Sequence, residues 1–98
     1  MSEYESKAVR KQIRVHGRVQ GVGFRYRASH AADAAGVTGW VRNDPDGTVF
    51  MEIQGTQAQI DQVFAMVSRG TYVYIERMDV KTIPLEEHEY SFRIRGWM

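Results

Sequence analysis

From Gly17 to Arg25 the chain runs Gly17-Arg18-Val19-Gln20-Gly21-Val22-Gly23-Phe24-Arg25, with three glycines in the first seven residues. Glycine reaches backbone angles that other residues resist. Successive N–H groups here can therefore turn toward one point and form a nest for an anion. A helix opening at Phe24 would add the positive end of its dipole and its unpaired first N–H groups. Arg25 falls in that first turn. Its planar guanidinium can hold two phosphate oxygens at once and stays charged at any working pH. A cation at a helix N-terminus is unfavourable by roughly 0.3–1 kcal/mol, a conflict that a bound anion would relieve. The chemistry indicated is capture of a small anion by main-chain donors and one arginine. The same pattern also describes an ordinary strand-to-helix turn with a solvated arginine, and spacing alone leaves both readings open. Two nucleotide-binding variants do not fit. Gly21-Val22-Gly23-Phe24-Arg25-Tyr26 lacks the third glycine of the dinucleotide fingerprint, and no Gly-Lys-Ser/Thr follows it.

Few other residues carry chemistry by type and spacing. Asn43 precedes Asp44-Pro45-Asp46-Gly47, and from its place alone it reads as a turn former. Asp44 and Asp46 suit the same turn better than a catalytic pair of carboxylates. His16, His30 and His88 show no metal-ligand spacing. Cysteine is absent, which excludes disulfides, thiolate metal sites and a cysteine nucleophile. No metal and no cofactor are expected. Glu86, Glu87 and Glu89 read as a solvated acidic loop, and Trp40 and Trp97 as packing or interface residues. Arg14, Arg18 and Arg27 place positive charge near the glycine loop, where it can steer an anion inward.

The elements that must position these residues follow from hydrophobic period. Gln12 to His16 alternates and predicts a strand with Ile13 and Val15 inward. From Phe24 the period changes: Phe24, Ala28, Ala31, Ala32 and Ala35 share one helical face, and Gly36 stops the helix. Thr38 to Asn43 and Thr48 to Gln54 are strands joined by the Asp44-Pro45-Asp46-Gly47 turn, hence an antiparallel hairpin. Thr56 and Gln59 form a capping box for a helix with Ile60, Val63, Phe64 and Val67 on one face, ended by Gly70. Tyr72 to Val80 is strand-like. After the loop from Pro84 to Glu89, Tyr90, Phe92 and Ile94 alternate as a last strand. The order β-α-β-β-α-β with a short strand appended predicts an α+β, ferredoxin-like sandwich: an antiparallel sheet with both helices on one face. Strands one and three are expected at its centre.

At 98 residues the chain is expected to be a single domain, 1–98, with residues 1–8 a frayed lead-in. Hydrophobic residues are 43% and charged residues 26%, which argues against disorder. Thirteen Lys and Arg against 12 Asp and Glu leave a net charge of +1, so no polybasic tail addresses nucleic acid or membrane. No apolar run approaches the ~18 residues of a membrane span, and the polar N-terminus lacks a secretory stretch. A reducing, cytoplasmic setting fits the lack of cysteine.

The segment Gly17 to Arg25, followed by Gly39-Trp40-Val41-Arg42-Asn43 and Asp46-Gly47-Thr48-Val49 and closed by Phe92-Arg93-Ile94-Arg95, resembles the acylphosphatase family along the whole chain. The resemblance implies the sandwich derived above and an enzyme that hydrolyses the carboxyl-phosphate bond of acyl phosphates without a metal. It implies that Arg25 binds the phosphate, that Asn43 orients the attacking water, and that the N–H groups of Gln20, Gly21, Val22, Gly23, Phe24 and Arg25 form the phosphate cradle. The expected partners are a small acyl phosphate and inorganic phosphate as product inhibitor, with no nucleic acid or membrane and a monomeric state. Two departures from the family pattern stand out. Arg69-Gly70-Thr71-Tyr72-Val73-Tyr74 lacks a Gly-Pro step, and Phe50 stands where a glutamate is expected. The rival reading is a non-catalytic ferredoxin-like module that binds RNA or protein, since that element order also serves small RNA-binding domains.

Overall fold

The computed structural model describes residues 7–70 and 72–96. Trp97, Thr71 and most of the expected lead-in lie outside the described residues. The elements are β1 (Ala8–Arg18), α1 (Phe24–Ala35), β2 (Thr38–Asn43), β3 (Val49–Thr56), α2 (Gln57–Val67), β4 (Tyr74–Ile83) and β5 (Phe92–Ile94). They form one sheet in the order β4-β1-β3-β2-β5, with β1 and β3 central as expected. The first four strands pair antiparallel. The appended strand does not follow that rule: β5 pairs parallel with β2, Gly39 opposite Phe92. β4 and β5 occupy opposite edges, so the loop between them crosses the end of the sheet.

The helices cover one face because their apolar stripes can be buried nowhere else. Phe24, Ala28, Ala31 and Ala32 of α1 and Ile60, Val63 and Val67 of α2 are buried. They meet Ile13, Val15, Val41, Val49, Met51 and Ile53 from the sheet in one core. The capping box closes α2: the Thr56 hydroxyl accepts from the Gln59 N–H at 3.2 Å and the Gln59 side chain accepts from the Thr56 N–H at 2.8 Å. Gly36 ends α1 in the left-handed region, φ 80°, its N–H donating to Ala32. Gly70 plays another part than the expected one. α2 ends at Val67, three residues earlier. Gly70 is buried, and a Cβ there would lie 2.8 Å from Nε of Arg27. It is small because an α1 side chain packs over it.

β1 and β4 also run further than periodicity suggests. Ala8 and Val9 pair with Thr56 and Gly55, and Ile83 with Arg10, so cross-strand partners extend both strands.

The opposite face of the sheet carries no helix and is lined by side chains that pair with one another. Arg10, 3% exposed, donates to Glu52 at 2.9 Å, to Gln54 at 3.1 Å and to both carboxylate oxygens of Glu89 at 2.8 and 3.2 Å. Glu89 is thus not a solvated residue as expected. Burial works to raise its pKa, but hydrogen bonding to Arg10 and Thr38 together with the charges of Arg10 and Arg95 outweighs it and lowers the pKa below the ordinary carboxylate value. Phe50 has a place here too. Its ring is 5.8 Å from that of Trp40, and the Arg14 and Arg42 guanidinium groups lie 4.6 and 5.0 Å from its centre. Arg42 and Arg95 also lie over Trp40, at 5.4 and 4.8 Å.

The same two arginines grip the β2–β3 turn. Arg42 Nε donates to Asp44 Oδ1 at 2.8 Å, and Arg14 donates to Asp44 Oδ2 at 2.9 Å and to the Thr48 hydroxyl at 2.7 Å. Thr48 in turn donates to Asp46 from its N–H at 3.0 Å and from its hydroxyl at 2.6 Å. The hydrogen bond from Arg42 is the main cause that lowers the Asp44 pKa; Arg14 adds to it, and burial opposes both.

Two outcomes are expected. Gly39 lies in β2 at φ 140°, and a Cβ there would run into the carbonyl of Glu52. Gly39→Ala should therefore lower unfolding free energy by more than about 2 kcal/mol, read from urea denaturation at neutral pH. For Asp44, the folded-state pKa is depressed. Its contribution to stability is therefore full above the unfolded value, about 3.9, and is lost as pH falls through the folded value. Asp44→Asn should be less stable than the unaltered chain at pH 7, with the gap closing toward pH 2. A gap that stays constant from pH 7 to pH 2 would contradict this account.

Candidate active site

The glycine loop leaves β1 after Arg18 and is anchored at both ends by buried apolar side chains, Val19 at 1% and Phe24 at 1% exposed. Between them Gly21 and Gly23 sit at φ 72° and 80°. A Cβ on either would meet nothing within 4 Å, so these positions require glycine for its backbone angle and not for lack of room. Gly23 is the N-cap of α1 and offers no side-chain bond, and the first turn holds no acidic residue. The first N–H to find a helical acceptor is that of Arg27, bonded to Gly23 O at 3.0 Å. Among the described residues, the N–H groups from Gln20 to Tyr26 have no backbone acceptor. Such a row of donors beside a helix dipole is the electrostatics of an anion site.

A pocket of about 130 Å³ opens at this point, lined by Val19, Gly21, Gly23, Phe24, Arg25, Tyr26 and Asn43. The family resemblance implies that Arg25 and Asn43 share a site; the fold brings both to one pocket. Of the other expected cradle residues, Gly21, Gly23 and Phe24 line it, whereas Gln20 and Val22 do not. Val19 and Tyr26 also line it, beyond the residues the sequence points to. Their adjacency to the loop and to Arg25 was the available signal. The volume is well below the roughly 300–1,000 Å³ of pockets that enclose a whole small molecule. It suits a charged head group whose remainder stays outside.

The arginines divide into two groups, those held by a carboxylate and those, Arg18, Arg25 and Arg27 included, that have none among the described residues. Arg10, Arg14, Arg42 and Arg77 each pair with a carboxylate, whereas among the described residues no acid pairs with Arg25. Of the three arginines expected to steer an anion, Arg14 is held by Asp44 and Thr48, Arg27 lies over Gly70, and Arg18 is exposed.

Asn43 presents the complementary feature. Its Oδ1 is buried and has no hydrogen-bond partner. A buried acceptor left unpaired costs about 1–3 kcal/mol, and the residue that carries it lines this pocket. Asn43 ends β2, opposite Val49 of β3. One residue later the chain turns, with the Asp44 N–H donating to Thr48 O at 2.9 Å and the Gly47 N–H to Asp44 O at 3.1 Å. From the loop side, Gln20 Nε2 donates to Asp44 O and to Thr48 O, both at 2.7 Å.

A larger hollow, about 270 Å³, lies under the loop after β4. It is lined by Glu86, Glu87 and Glu89 as well as by Arg93 and Arg95, and its carboxylates oppose a dianion. Among the described residues no group of three or more His, Cys, Asp or Glu is placed to hold a metal ion. No helix among them is long and apolar enough to cross a membrane.

Comparison with known proteins bears on the fold and the family. The acylphosphatase family model matches residues 11–94. The acylphosphatase of Geobacillus kaustophilus is 41% identical over 86 residues, covering 87% of this chain and 92% of that protein. Among solved structures, the acylphosphatase from Bacillus subtilis superposes with a TM-score of 0.80 at 31% identity, over 90% of this chain and 99% of that one. That from Coxiella burnetii gives 0.80 at 27% identity, over 97% and 100%. With the match spanning nearly the whole chain, and the sandwich shared with solved members, this protein belongs to the acylphosphatase family, hydrolases that act on acyl phosphates.

Proposed function

We propose that the chain hydrolyses the carboxyl-phosphate bond by direct attack of water on a phosphoryl group held in the glycine loop, without a metal or cofactor. The observation that carries the reading is the pairing, in one small pocket, of an arginine with no acidic partner among the described residues and a buried asparagine oxygen with no partner of its own. The N–H groups from Gln20 to Arg25 and the Arg25 guanidinium hold the non-bridging oxygens, where charge must be stabilised as the phosphoryl group transfers. Asn43 Oδ1 accepts a hydrogen bond from the water and turns its lone pair toward phosphorus. The new bond runs from water oxygen to phosphorus. The bond from phosphorus to the acyl oxygen breaks, and its electron pair leaves with the carboxylate. The proton released by the water passes to a phosphate oxygen, so the products are carboxylate and dihydrogen phosphate. No side chain has to titrate, since asparagine is no base and the leaving carboxylate needs no acid.

Inorganic phosphate keeps the charge and shape of the transferred group, so it inhibits by occupying the same seat. The enzyme works as a cytoplasmic monomer with neither nucleic acid nor membrane as partner. The rival RNA-binding reading draws no support from the open sheet face. Of the rings the sequence offers for such a platform, Phe92 is buried, Tyr72 and Tyr90 are exposed in loops and Tyr74 starts the edge strand β4, while Phe50 and Trp40 lie under Arg14, Arg42 and Arg95.

Turnover of benzoyl phosphate in the presence of a chelator is the test. Arg25→Ala should reduce kcat/KM by about 10²–10³-fold and abolish inhibition by phosphate. Asn43→Ala should reduce kcat on a similar scale while phosphate still inhibits. If Asn43→Ala lost phosphate affinity as severely as Arg25→Ala, the division between holding phosphate and orienting water would be wrong.

A further inference from the structure

Gln20 is the sole hydrogen-bonded link between the glycine loop and the β2–β3 turn among the described residues. The β3 end of the turn lies beside β1, Val15 opposite Val49, but the β2 end, where Asn43 sits, is one strand further away. The loop continues β1, Asn43 ends β2, and β3 lies between those strands in the sheet. The cradle and Asn43 must therefore meet across two strand spacings, about 10 Å. The Gln20 side chain covers the gap. Both hydrogens of its amide are used, one on the carbonyl of Asp44, directly after Asn43, and one on that of Thr48, directly before β3. It thus clasps the two ends of the turn from a residue whose own N–H is expected in the phosphate cradle.

We infer that the Gln20 side chain is a positioning residue: it sets the distance and angle between the phosphate seat and the asparagine that orients water. The inference rests on the reading of Arg25 and Asn43 given above and assigns Gln20 a part distinct from its main-chain donor. The turn does not need this side chain for its own shape. Without it, Asp44 O still accepts from Gly47 and Thr48 O from Asp44. Arg14 and Arg42 still hold the Asp44 carboxylate from the opposite face. Removing the amide frees the loop to drift against the turn while leaving each part folded. Phosphate binding by the loop should then persist and the attack geometry should suffer, since a displacement of about 1 Å at a reacting centre can slow a reaction about 10²-fold.

Gln20→Leu keeps the length and bulk of the side chain and removes both donors. With benzoyl phosphate as substrate, kcat should fall about 10–100-fold while the inhibition constant of inorganic phosphate stays within about threefold. Wild-type kcat in Gln20→Leu overturns the inference. So does a loss of phosphate affinity as large as the loss of kcat, which would make Gln20 part of the seat itself. Gln20→Glu is the second arm and reports even if the leucine variant folds poorly. Ionised, its carboxylate opposes the two carbonyls; protonated, it can donate to one of them. Its kcat relative to the unaltered enzyme should rise as pH falls toward about 4, and a flat ratio overturns the inference. Arg25→Ala and Asn43→Ala run beside both. If they stay active, the reading of the site fails; if they are impaired while the Gln20 variants are not, only the role of Gln20 fails.

Discussion

The constraint on which this site depends is topological: β3 separates the strand that feeds the glycine loop from the strand that ends at Asn43. A site assembled across an intervening strand needs something to fix its two halves, because the ladder of β3 sets the position of each strand but not of the segments beyond it. The β2–β3 turn is therefore held from both faces of the sheet. On the open face Arg14 and Arg42 bind the two oxygens of Asp44. On the loop side Gln20 binds the two carbonyls that bracket the turn. Asp44 contributes its carboxylate to one side and its carbonyl to the other, and Asn43 beside it inherits the rigidity of both.

The arrangement also accounts for Phe50 and for the use of arginine on the open face. Arg14 and Arg42 must approach one carboxylate together, and two cations side by side repel. Phe50 lies beneath both guanidinium groups, giving each a ring face to rest on while their charges meet at Asp44. A glutamate at this position would compete with Asp44 for the same donors. The aromatic ring leaves the pairing undivided.

What could be read from the sequence was local. The loop glycines, the placement of Arg25 at a helix start, the capping box of Thr56 and Gln59, and the inward faces of β2 and β3 all depend on residues within a few positions of one another. The convergence of Asn43 on Arg25 could not be derived from spacing, because it depends on sheet order; the family resemblance supplied it as an expectation. Other features stayed hidden for the same reason. Glu89 reads as a solvated acid until the chain returns to place it against Arg10, 79 residues away. Gly70 looks like a helix stop until Arg27 of the other helix is seen lying over it. Gln20 reads as one more loop residue, since neither carbonyl it holds has any signature in the sequence.

The two helices show what the loop gives up for its chemistry. α2 opens on a complete capping box, which satisfies its first donors within the chain. α1 opens on Gly23, with no side-chain cap, no acid in the first turn and an arginine where the dipole disfavours one. A serine or aspartate in place of glycine at the N-cap would commonly add only about a few tenths of a kcal/mol of helix stability, and its oxygen would take N–H groups that now have no backbone acceptor. The same chain can build the conventional start and does so where nothing has to bind. At α1 the unpaired donors and the uncompensated cation are left together, and a doubly charged phosphoryl group, in the function proposed above, would satisfy both at once.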